Sequence, residues 1–82
     1  MEPEQKPSVG RIVHYQAYGT PGGEHPSVAR AAVVTEVGEN GDGKDPHVVG
    51  LCVLNPTGQF FNRGVCFDPD GKGGTWRWPP RV

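Results

Sequence analysis

Trp76 and Trp78 stand two residues apart with Arg77 between them, so on a strand both indoles point to one face and the guanidinium to the other. Rings arranged in this way stack on planar ligands, and a guanidinium pairs bidentately with phosphate or carboxylate. Tyr15 and Tyr18 extend the aromatic set, while Arg11, Arg30, Arg63 and Arg77 all fall near strand-like segments. The binding set that follows is Tyr15, Tyr18, Arg63, Trp76, Arg77 and Trp78, with chemistry suited to a planar or anionic ligand or to the side chain of a partner. A plainer reading stands beside it. In a chain with few large apolar residues both indoles serve equally well to close a small core, and any single arginine is ordinary surface charge.

Catalytic patterns are weaker. Ser8 lies in a polar terminal stretch and Ser27 in a loop, neither in a strained elbow beside a histidine and a carboxylate, so a serine nucleophile is excluded. Cys52 or Cys66 with His14 or His47 offers the elements of a thiol and imidazole pair, but a thiol on a short strand is more simply a packed small hydrophobe. His14, His25, His47, Cys52 and Cys66 lack the short ligand spacings of zinc modules. Asp42-Gly43-Lys44-Asp45 and Asp68-Pro69-Asp70-Gly71 resemble calcium-loop fragments without the terminal bidentate glutamate, and read as turns in which Asp bonds its own backbone. Gly19-Thr20-Pro21-Gly22-Gly23 opens no helix, which leaves only a backbone-amide nest to attract an anion. The expectation is a chain with no catalytic residue, no metal and no cofactor.

The elements that must position these residues are strands. Val48 to Phe67 reads as a β-hairpin: the apolar run VVGLCVL enters Asn55-Pro56-Thr57-Gly58 and returns as FFNRGVCF. Proline pre-sets the backbone angle at the second turn position and glycine closes the turn. Asn55, Thr57 and Asn62 belong to this hairpin and are assigned to its turn. With Leu54 opposite a residue near Phe60, Cys52 falls near Asn62 and Cys66 further along, so the register favours free, buried thiols over a cross-strand disulfide.

Arg11 to Ala17 alternates with Val13 and Tyr15 on one face and His14 and Gln16 on the other, as a first strand does. Val28 to Val37 carries valines, threonine and no 3.6-residue stripe, which favours a strand over a helix. Tyr18 to Ser27 and Gly38 to His47 are long loops, and Thr75 to Trp78 is a last short strand stopped by Pro79-Pro80. Residues 1–9 form a flexible tail and 10–82 one domain. The fold class is all-β, a small five-stranded barrel of the SH3-like or OB-like kind. Its expected core is Val13, Tyr15, Val33, Val34, Val49, Leu51, Val53, Phe61, Val65 and one of the tryptophans.

A chain of 82 residues supports one small core and buries about 60% of its unfolded surface, so a partner chain is expected to help. Self-association, as a homodimer or higher oligomer, follows. Thirteen glycines and nine prolines punctuate the strands, yet a net charge of −1 and compact valine runs argue against disorder. Eight Lys and Arg spread singly do not form the basic surface that general nucleic-acid binding requires. MEPEQKPSVG is no signal sequence and no run approaches the ~18 apolar residues that span a bilayer, so a soluble cytoplasmic protein without membrane contact is expected.

The blocks GRIVHY, YGTPGG, RAAVVTEV, VGLCVLNPTG with FFN, and GTWRWP together resemble a family of small uncharacterised proteins encoded by actinobacterial genomes and their phages. The resemblance runs from Gly10 to Val82. It implies a phage or prophage setting, hence the host cytoplasm, and small phage proteins are mostly binders, inhibitors or virion accessories. Two functions follow as expectations: a non-catalytic binder that sequesters or inhibits a host protein or a small anionic ligand such as a nucleotide signal, in counter-defence, or a structural head, neck or tail component.

Overall fold

The computed structural model describes residues 6–19 and 27–80. Five strands follow one another: β1 (Ile12–Gln16), β2 (Ala29–Val37), β3 (Val48–Asn55), β4 (Gly58–Cys66) and β5 (Trp76–Arg77), with one 3-10 turn, Glu39–Gly41, between β2 and β3. They form a single sheet in the order β4-β3-β2-β1-β5, every neighbouring pair antiparallel. The sheet curls on itself, and a single bridge, Phe67 to Trp76, joins the end of β4 to β5. The fold is therefore all-β, a five-stranded half-barrel closed at one end and open at the other. Val28 to Val37 is a strand, as its β-branched residues require.

Alternation sorts the residues onto two faces. Val13, Tyr15, Ala32, Val34, Val49, Leu51, Val53, Val65 and Trp76 are buried on the inner face, with Val37, Phe67 and Trp78 packed against them. Two expected core residues are absent from this set. Val33 pairs with Ile12 on the outer face, and Ala32 takes the inward position beside Val13. Phe61 is 67% exposed. The two-residue turn pairs Leu54 with Gln59, beside Phe60 as expected but one residue short of it, and that single step decides the faces: Phe60 turns inward and Phe61 outward. Proline sets the turn, and none of its four residues has a positive φ.

Two bulges bend the sheet. One on β2 lies between Val34 and Glu36, and the other interrupts the β3/β4 ladder opposite the step from Val49 to Leu51. Between them Gly50 sits on the outer face of β3, where a Cβ would lie 2.6 Å from the Cγ of Glu36. The bare backbone lets Glu36 reach across β3 to Arg63 on β4, at 2.8 and 3.1 Å.

The loops are held by their own polar groups. Asp42, Asp45 and Asp68 accept hydrogen bonds from backbone N–H groups of Lys44, His47 and Asp70, as expected of Asx turns. Pro7 is buried and the Arg11 N–H bonds the Ser8 carbonyl, so the chain is placed against the sheet from the last residues of the polar terminal stretch. Residues 1–5, the Thr20 to Gly23 part of the glycine loop and His25 lie outside the described residues. Among the described residues no helix is long and apolar enough to cross a membrane.

Candidate functional site

The open end of the half-barrel gathers aromatic and polar groups on the inner face. Directly opposed residues of an antiparallel pair share a face, which sets Arg30 beside Tyr15 and Phe60 beside the buried Val53. Tyr15 and Phe60 sit on strands that are not neighbours, yet their rings meet edge to face at 6.2 Å and 80°, spanning the concavity. Tyr15 is 4% exposed and Phe60 37%, so one ring anchors the contact and the other presents its surface. Asn62, the next inward position on β4, lies by the Tyr15 phenol and favours its ionised form. Its role is in the concavity and not in the hairpin turn.

Tyr18 is 71% exposed and follows β1 out of the sheet. Its ring lies against the Gly73-Gly74 turn, close enough that a Cβ on Gly74 would collide with the Tyr18 hydroxyl. Arg30 is half-buried, and no acid among the described residues pairs with it. The end of the barrel thus offers one exposed ring, a second ring braced on glycine backbone, a buried phenol and a guanidinium.

Burial raises the Tyr15 phenol above its ordinary value of 10.0; nearby Tyr18 adds to the rise and Asn62 opposes it. The unfolded phenol therefore ionises first. Its contribution to stability is whole below about pH 10 and is lost as pH rises through the folded value. A tyrosinate titration at 295 nm is expected to show a component above pH 10 that Tyr15→Phe removes.

The residues singled out by spacing do not converge on one site. Trp76 is fully buried: its rings meet Phe67 at 4.8 Å and Trp78 at 5.3 Å, and its indole N–H donates to the His47 carbonyl at 3.0 Å. Trp78 lies on the same side as Trp76, half-buried, with the Arg11 guanidinium 5.0 Å above its ring. The two indoles do share a face, and that face is the core. Arg77 points the other way and donates to Gln16 Oε1 at 2.9 Å. Arg63 is on the outer face of β4, committed to Glu36, whose carboxyl it holds below the ordinary range chiefly through their hydrogen bond. Of the six residues Tyr15 and Tyr18 line the concavity, and Trp76, the partner of Tyr15 across the β1/β5 pair, is buried beside it. Arg30 stands out in sequence only as one of several arginines, and Phe60 and Asn62 become visible once the register is fixed.

Thiol and metal chemistry find little support in the geometry. Cys52 and Cys66 are both free. Cys52 is opposite Phe61 and Cys66 opposite Val48, which removes any cross-strand bridge between them. Neither is buried: Cys52 is half-buried and Cys66 exposed, because both fall on the outer face. His47 tilts against Phe67 at 5.8 Å at the closed end of the barrel. Among the described residues no group of three or more His, Cys, Asp or Glu is placed to hold a metal ion. The chain matches no family model, no curated protein and no solved structure.

Proposed function

We propose that this chain is a non-catalytic, phage-type binding protein that acts in the host cytoplasm and takes a small planar anion, such as a nucleotide signal, at the open end of its barrel. Sequestering such a signal is the counter-defence role. The observation that carries the reading is the Tyr15 and Phe60 contact across the concavity with Arg30 beside it: a ring to stack on and a cation to meet a phosphate. The same groups would grip an acidic side chain of a host protein. No cofactor or metal enters the mechanism. Binding rests on stacking, charge pairing and exclusion of water by Tyr18.

A ligand that binds the native state alone at about 100 times its Kd adds about 2.7 kcal/mol, which for a domain of this size raises the melting temperature by roughly 10 °C or more. Linear and cyclic nucleotides are the probes. The expected result is a rise with at least one of them that Arg30→Ala and Phe60→Ala each abolish and Arg63→Ala leaves in place. No rise with any nucleotide overturns the small-ligand reading. A structural virion accessory is the second reading, favoured by the unpaired edge of β4, since ring components assemble through such edges.

A further inference from the structure

We infer that β4 is the self-association edge of this protein, pairing antiparallel with β4 of a second copy about a twofold axis through Phe61. β4 ends the sheet, and among the described residues no backbone group pairs with its outer side before the bridge at Phe67. A two-residue turn closes on a hydrogen-bonded pair, Asn55 and Gly58, so Gly58, Phe60 and Asn62 turn their N–H and C=O groups to β3. Those of Gln59 and Phe61 point to the open edge. A twofold axis through Phe61 sets each Phe61 opposite Phe61 of the second copy in a pair that exchanges both bonds, with Gln59 opposite Arg63 on either side. The ladder holds about four to six backbone hydrogen bonds.

The side chains suit this register. Phe61, 67% exposed, closes a cross-strand row on the outer face that runs Ile12, Val33, Cys52, Phe61, all apolar or weakly polar. Pairing joins the two rows at their phenylalanines. Arg63 does not repel its counterpart: each guanidinium is already neutralised by Glu36, and the two lie at opposite ends of the ladder. Natural edge strands carry lysine, proline, inward charge or a bulge to prevent pairing; β4 has none of the first three over Gly58 to Asn62, and its bulge, between Asn62 and Val65, ends the ladder at Arg63.

The area also decides the strength. Five paired strand residues a side bury roughly 300–400 Å² in total at the usual area per interface residue, below a standard interface, so the pairing is weak and concentration-dependent and not a permanent dimer. Phe60 and Asn62 lie within the paired segment, with Phe60 opposite Asn62 of the second copy on the inner face, so the sedimentation test is run without nucleotide and its outcome does not depend on ligand binding.

Sedimentation equilibrium over about 5–500 µM tests it. The expected result is a mass that climbs from 8.8 kDa toward twice that value in the wild type, and a mass fixed at the monomer value for Phe61→Pro, which removes the central N–H without touching a bond of the monomer. Phe61→Lys is the second variant, since it sets two like-charged side chains directly opposite one another at the axis, on Cα atoms about 5.5 Å apart, and alters only an exposed side chain. It is expected to weaken association at least tenfold. A wild type that stays at 8.8 kDa at the highest concentration, or a dimer that withstands both substitutions, overturns the inference.

Discussion

Trp76→Ala is expected to leave the chain largely unfolded at 37 °C. The side chain is fully buried against Phe67 and Trp78 and joins the closed end of the barrel to the loop before β3 through its bond to the His47 carbonyl. Truncating a core tryptophan costs about 3–5 kcal/mol, and leaving the His47 carbonyl without its donor adds about 1 kcal/mol. A domain of this length has only about 4–12 kcal/mol in all. Circular dichroism with urea denaturation is the check, and the midpoint should collapse or vanish. Trp78→Ala, at a half-buried ring, should cost clearly less. A wild-type midpoint for Trp76→Ala would mean that the indole is not core, and the binding reading of the tryptophan pair would return.

The second large effect is placed at Gly38, in the connection from β2 to β3. Its backbone lies at φ 85° and ψ 160°, a region that residues with a Cβ do not enter without strain. A Cβ there would also run into the backbone nitrogen of Gly43. That nitrogen cannot move freely, because it donates to the Val37 carbonyl at 2.9 Å while Gly38 itself donates to Val48 at 2.7 Å. Gly38→Ala must therefore open the turn that starts β3. The expected cost is about 3 kcal/mol, the sum of backbone strain and a displaced hydrogen bond. Gly43→Ala is the control: its φ of 72° is also positive but its Cβ meets nothing within 4 Å, so about 1 kcal/mol is expected. Equal losses at the two positions would contradict the close approach.

These two positions show what was legible beforehand. Strand existence was written in local patterns: β-branched runs separated by glycine and proline gave β1 to β4 within a residue or two of their ends, because each run carries its own alternation. Facing was legible where alternation is unbroken, as at Val13, Tyr15, Val49 and Val53. It failed at Phe61 and Val33, where the face depends on the register across two strands. A two-residue turn and bulges on β2 and β4 set that register, and none of them has a composition signal strong enough to count residues by.

The six residues of the binding set are dispersed for a related reason. The spacing of Trp76 and Trp78 correctly puts both rings on one face, but whether that face is core or surface is decided by how the sheet curls, with the Phe67 to Trp76 bridge at its closed end. Arg63 looked free because Glu36, 27 residues away, reaches it only across the bare backbone of Gly50. Arg30, conversely, is ordinary in sequence and gains its place only by standing opposite Tyr15.

The most direct test of the central claim is an amide and side-chain chemical-shift map of the labelled protein titrated with the nucleotide that raises its melting temperature. The account predicts that shifts cluster at Tyr15, Tyr18, Arg30, Phe60 and Asn62, and that the Arg63 and Cys66 signals on the outer face stay where they are. Shifts centred instead on the outer face, at Arg63, Arg77 or Cys66, with Tyr15, Arg30 and Phe60 unmoved, would contradict it.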